Sequence, residues 1–266
     1  MLKKLALTTT LATTAALATW DYYPVLDAGK GSIKAGLYYD RDKPWSQAGL
    51  TSGVRFSIMQ GLELSIQDWG YRFWSEGDCP NDWCTEGGDG FSDLTIGGRY
   101  QVIPMLTAFL DFHLPVGDDD DGINGHPVST SEYAIYLGVQ FSLPSGVKGL
   151  EFGAESGLDW GFEHNHYERG LEIHAGAEIK YQPPEAQNIN VYGGAQFKLQ
   201  LTEDSYEDNH GNRWRHNDNG DHQINLWAGM SFIVSPQFLA TGRFTLRRGD
   251  MDGYAHGLYA GCEFTF

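Results

Sequence analysis

Glu151, Glu155 and Asp159 recur at four-residue spacing, and Glu172, Glu178 and Lys180 follow at even intervals. In an extended chain, even spacing places side chains on one face. The same parity collects Arg55, then Asp93 and Arg99, then Asp111 and His113. Farther on it collects Lys198, Arg243, Arg247 and Glu263. Acids and bases lining one face of successive strands are the groups that set ion preference in a polar conduit. The competing reading is that they pair across the interior and close it. Both stay open at the level of sequence.

Other chemistry finds weaker support. The stretch GDDDDGING (117–125) offers Asp118, Asp120 and Asn124 at the spacing of calcium-binding oxygens. No acid closes the loop at the distance such a site needs, so a solvated acidic loop is expected, with no metal and no cofactor. His210, His216 and His222 share one polar segment that reads as a surface loop. Cys79 and Cys84 in CPNDWC read as a short disulfide in an exported chain, because no nearby Cys or His completes a zinc site. Cys262 falls on an apolar face and is left over. A lipid-cleaving site needs a serine and a histidine within reach. His256 is the one histidine expected to face outward near a rim, and no signature pairs it with a serine. The protein is therefore expected not to be an enzyme.

The elements that must position the charged face are strands. In LEFGAESGLDWGF, Leu150, Phe152, Ala154, Leu158, Trp160 and Phe162 alternate with Glu151, Gly153, Glu155, Gly157, Asp159 and Gly161. That is a period of two. LEIHAGAEIKY and INVYGGAQFKLQL repeat it. Twelve strands are predicted, near 32–40, 47–58, 61–73, 92–103, 105–115, 131–143, 149–162, 169–181, 188–201, 222–234, 237–248 and 254–266. Connections after even-numbered strands are short, and the longest follow the third, fifth and ninth. Short turns on one rim and long loops on the other suit an outer-membrane barrel.

Residues 1–18, with Lys3 and Lys4 before a short apolar stretch and Ala16-Leu17-Ala18 at its end, read as a signal peptide. Residues 19–31 then form a periplasmic N-terminal segment, inside the lumen or below it, and 32–266 the barrel. The chain carries a net charge of −17, or −19 without the two signal lysines, which excludes nucleic acid as a partner. A secreted sandwich also alternates, but with its apolar face inward. Strands of about 10 to 13 residues suit tilted membrane spans. Tyr39, Phe73, Tyr100, Tyr133, Phe162 and Tyr181 near strand ends suit interfacial girdles. The fold class is an all-β, antiparallel up-and-down transmembrane barrel with lipid as its outer partner. An unpaired backbone group in hydrocarbon costs several kcal/mol, so the last strand must pair with the first.

SDLTIGGRYQV (92–102) followed by LDFHLPVGDDDDG (110–122) resembles the outer-membrane barrels of the meta-pathway phenol-degradation family. Asp93, Leu94, Gly97 or Gly98, Arg99 and Tyr100 match its Gly-Asp-Leu-x-x-Gly-x-Lys/Arg-Tyr strand. Leu114, Pro115, Gly117 and Asp118 match its Leu-Pro-Thr-Gly-Asp turn, with Ser92 and Val116 departing from it. The match covers about residues 90–180. The resemblance implies an outer-membrane channel or uptake protein for small solutes, with hydrophobic or aromatic compounds among those proposed for the family. Phe264 and Phe266 resemble the terminal signal read by the barrel assembly machinery of Gram-negative outer membranes. The expectation is a porin-like channel in that membrane, its acidic loops favouring cations or neutral solutes. A plugged structural or adhesive barrel is the alternative.

Overall fold

A computed structural model describes residues 22–42, 45–77, 88–118, 128–130, 132–162, 167–207, 213–215, 218–251 and 253–266. The signal segment 1–18, Cys79, Cys84, Asp120, Asn124, His210 and His216 lie outside the described residues.

Twelve long antiparallel strands close into a barrel. They are β1 (Gly31–Asp42), β2 (Trp45–Met59), β3 (Leu62–Gly77), β4 (Leu94–Ile103), β5 (Leu106–Leu114) and β6 (Tyr133–Pro144). The second half is β7 (Leu150–Phe162), β8 (Glu172–Tyr181), β9 (Ile189–Gln200), β10 (His222–Ser235), β11 (Phe238–Gly249) and β12 (Gly253–Thr265). Each pairs with its neighbours in sequence, and β12 returns to β1 with Ser32 opposite Thr265 and Asp42 opposite Ala255. Closure leaves the ring without a free edge, as a hydrocarbon surrounding demands.

The surface is inverted relative to a water-soluble protein. Leu37, Ile58, Leu137, Leu158 and Leu258 point outward and are exposed, while Arg99, Glu63 and Gln140 are buried inside. Alternation produces this directly, since one parity meets lipid and the other the lumen. Phe73, Tyr100, Tyr133, Phe162 and Tyr181 are exposed near strand ends, where girdles belong. Phe264 and Phe266 are also exposed and stack 6.4 Å apart at the periplasmic rim.

Two local devices shape the wall. Gly61 closes the tight turn between β2 and β3 with φ +80°, a conformation that suits glycine. Asp68 in β3 has φ 64°, and there the β2–β3 register shifts between Ser52 and Val54. This is a β-bulge, with aspartate tolerating the left-handed backbone. Above it β3 leaves β4: their ladder stops at Gln67–Thr95, and the short strand Gly90–Phe91 takes over at Tyr71 and Arg72.

Candidate functional site in the barrel lumen

The lumen is built from the inward parity of every strand, and two chemistries occupy it. One is a ladder of charges. Arg55 of β2 sits 3.7 Å from Glu63 of β3 and 3.4 Å from Glu263 of β12. Glu63 also takes Arg99 of β4 at 3.4 Å. Arg99 donates to the Gln140 amide oxygen, and Gln140 donates to Glu155 at 2.8 Å. Tyr136 completes the chain by donating to the other Glu155 oxygen at 2.6 Å. Such pairing offsets the cost of holding these charged groups at near-zero exposure.

A second cluster lies toward the extracellular end. Arg169 bridges Glu132 at 3.2 Å, Asp159 at 2.7 Å and Glu172 at 2.8 Å. His174 reaches Glu172 at 2.7 Å. Asp159, Glu172 and His174 offer ligand atoms close enough for a metal ion. Arg169 already takes one oxygen each of Asp159 and Glu172, so two of these three donors are engaged in an ion pair.

The other chemistry is aromatic. Phe109 and Tyr136 pack 4.8 Å apart, Tyr136 lies 5.0 Å from the His174 ring, and Trp227 donates to Glu178 at 2.5 Å. On the opposite wall Tyr259 lies flat over glycine: a Cβ on Gly36 would stand 2.5 Å from its ring. Lys34 and Arg243 each approach that ring to 5.6 Å. Glycine beneath an aromatic keeps the wall thin where a side chain would fill the passage.

The segment before β1 enters the lumen as a strap. The Ser142 hydroxyl donates to the Tyr22 carbonyl at 3.0 Å, and Arg99 donates to the Tyr23 carbonyl at 2.8 Å. The Leu26 amide donates to Glu63 at 3.0 Å. Gly29 and Lys30 exchange backbone bonds with Ser57 at 2.8 and 2.9 Å. Tyr22 is 2% exposed, stands over Gly153 and Gly176, and meets Trp227 at 6.0 Å. The sequence assigned residues 19–31 to the periplasmic side and left their entry into the barrel open; Tyr22 to Lys30 cross its lower half.

The charged residues read from the sequence fall into distinct surroundings. Arg55, Arg99, Glu155 and Glu263 join the central ladder, and Asp159 and Glu172 join the Arg169 cluster. Asp111 is buried with both carboxylate oxygens unpartnered. Glu178 holds Trp227, and Arg247 pairs with Asp40. Lys180 and Glu151 pair at 2.6 Å at the periplasmic end, with Lys180 also 4.1 Å over the Tyr23 ring. Lys198 and Arg243 are half-buried on β9 and β11.

Asp93 lies at the extracellular rim just before β4, where it accepts from the Gly117 amide at 3.0 Å, the Ser129 hydroxyl at 2.7 Å and the Thr130 amide at 2.7 Å. His113 stands 3.4 Å away. Burial favours the neutral acid, but His113 and these donors outweigh it and hold the Asp93 carboxyl below its ordinary value. Asp118, a calcium candidate by sequence, spends its carboxylate on the Phe91 amide at 2.8 Å.

Sequence reasoning missed Arg169 and Glu132, and it left the placement of residues 19–31 open. Arg169 precedes β8 and carries the opposite parity to Glu172 and His174, so a period-two reading faces it outward. His256 meets Tyr254 at 6.1 Å, and no hydrogen bond joins it to a serine among the described residues.

These features define an outer-membrane-type β-barrel with a polar, partly filled lumen. Comparison with solved structures agrees at the level of fold. A COG4313 outer membrane channel from Pseudomonas putida F1 superposes with a TM-score of 0.68 at 13% identity, over 93% of this chain and 99% of that one. The NanC porin gives 0.51 at 10% identity, over 88% and 98%. The translocator domain of the autotransporter NalP from Neisseria meningitidis gives 0.54 at 11%, over 89% and 88%. No family model and no curated protein matches the chain.

Proposed function

We propose that the protein is an outer-membrane channel that passes small solutes by diffusion, through a lumen narrowed by its own N-terminal strap. The observation that carries this is the division of the lumen. Most of the strap and of the ion-pair ladder lies against β2 to β8, with Glu263 of β12 the ladder's outlying member, whereas Tyr38, Tyr192, Tyr259, Lys34 and Arg243 on the β9–β12 and β1 wall stay half-exposed. A wall of half-exposed polar and aromatic groups suits a wetted passage. The channel and porin among the similar folds support the reading. The acidic loops add a mouth that admits cations and neutral solutes ahead of anions. The strap and ladder also support a second reading, a barrel closed by its own contents. Liposome swelling separates them. Vesicles carrying the protein should swell in arabinose faster than empty vesicles; equal rates would favour the closed barrel.

A further inference from the structure

Several described residues carry buried side-chain atoms with no hydrogen-bond partner, and three of them around the middle of the lumen differ in kind. They are both carboxylate oxygens of Asp111 on β5, the hydroxyl of Tyr22 on the strap, and Nε of Arg243 on β11. Arg243 makes no ion pair or hydrogen bond among the described residues, and its guanidinium rests against Tyr259. Nearby charges are already answered. Glu155 accepts from Tyr136 and Gln140, Arg99 is held by Glu63 and Gln140, and Glu178 accepts from Trp227. Buried groups without partners are rare and call for an explanation.

The register places Asp111 and Arg243 opposite one another. In a ring of twelve strands, β11 is six strands from β5 in either direction. From Asp111 the ladder runs through Tyr136, Asp159 and Glu172 to Gln200, at the upper end of β9. The other way it runs through Gly97, Ser65, Arg55 and Ser32 to Thr265, at the lower end of β12. The row therefore climbs past the top of β11 on one side and reaches its foot on the other. Its mean height there is the middle of β11, where Arg243 stands. The Tyr22 hydroxyl lies over Gly176, midway along β8, beside Trp227 in the middle of β10.

We propose that this level of the lumen is a binding site for a small solute carrying one cationic and one anionic group. Asp111 takes the ammonium, and Arg243 and the Tyr22 hydroxyl take the carboxylate. Lys34, also 5.6 Å from the Tyr259 ring, adds positive charge on the side of Arg243. The Tyr259 face offers an apolar rest for the chain between the two charges. A solute with a single charge leaves one of the unpartnered groups unanswered, which is how such a site discriminates. The proposal rests on the channel reading for access to the site.

The test is titration calorimetry on the refolded full chain in detergent, with ε-aminohexanoate, hexanoate and hexylammonium as probes. Wild type should bind ε-aminohexanoate on the order of tenfold more tightly than either singly charged probe. Asp111→Asn should erase the advantage over hexanoate, and Arg243→Gln the advantage over hexylammonium. Arg243→Lys, which keeps the charge, should retain most of it. Equal binding of the three probes by wild type, or an unchanged preference in variants that still show heat-modifiable gel mobility, overturns the site. Arabinose swelling without that preference leaves the channel standing and removes the site. Preference without any swelling leaves the site standing and removes the channel.

Discussion

Replacing Tyr22 with alanine should loosen the strap while leaving the barrel intact. The ring is almost fully buried between Gly153, Gly176 and Trp227. Truncating a buried aromatic costs about 3–5 kcal/mol in a packed core. On the proposed channel reading water would fill part of the space left, so the lower figure of about 3 kcal/mol is taken. At 1.36 kcal/mol per decade this is on the order of a hundredfold change in the opening equilibrium. The remaining anchors are Lys180 over the Tyr23 ring and backbone contacts to Ser142, Arg99, Glu63 and Ser57, these last each worth about 1 kcal/mol or somewhat more at the charged groups. Hydrogen exchange by mass spectrometry reads this directly. The Leu26 and Gly29 amides, bonded to Glu63 and to the Ser57 carbonyl, should lose about a hundredfold protection. Amides in the β1–β12 ladder should not change. Unaltered protection at Leu26 and Gly29 would refute the idea that Tyr22 holds the strap.

Arg99→Ala should destabilise the barrel by about 3–5 kcal/mol, because it strips a partner from buried Glu63, Gln140 and the strap; the heat-modifiability midpoint reports it. Asp111→Asn should leave that midpoint unchanged or raise it, since the carboxylate has no hydrogen bond to lose. Asp93 is held below the ordinary aspartate value of about 3.9. A depressed acid stabilises the fold above its unfolded value and loses that contribution as pH falls through its folded value. Acidification below about pH 4 should therefore release the loop between β5 and β6, seen as protease cleavage near Gly117. Asp93→Asn should show the same cleavage at neutral pH. Leu137→Arg places a charge on the lipid face of β6 and should cost about 2–4 kcal/mol in refolding into vesicles. Deleting Phe266 should lower outer-membrane levels of the protein more than refolding yield in detergent.

Strands were legible because a barrel in lipid leaves a period-two imprint on nearly every residue. The stretch from Leu150 to Phe162 carries it almost without interruption, and β7 follows it. The same parity placed Asp111 and Arg243 on the inward face. It gave no sign that their partners would differ, because ion pairing inside a barrel joins residues hundreds of positions apart, as Arg55 and Glu263 do. The bulge at Asp68 shifts parity within β3 and has no marker beyond a residue type that tolerates positive φ. The place of the strap stayed undecided for another reason. Tyr22 to Lys30 has no period, and its hold is on backbone atoms that the sequence does not display. The reading by charge also passed over Tyr136, Trp227 and Tyr259, aromatics of inward parity that do as much to shape the lumen as the charges.

Single-channel recording in planar bilayers compares the full chain with one lacking residues 19–30. The full chain should give small, discrete, cation-preferring steps, and removal of the strap should enlarge them severalfold without changing the sign of the preference. Silence from both proteins, in preparations whose gel mobility shows a folded barrel, would contradict a conducting lumen.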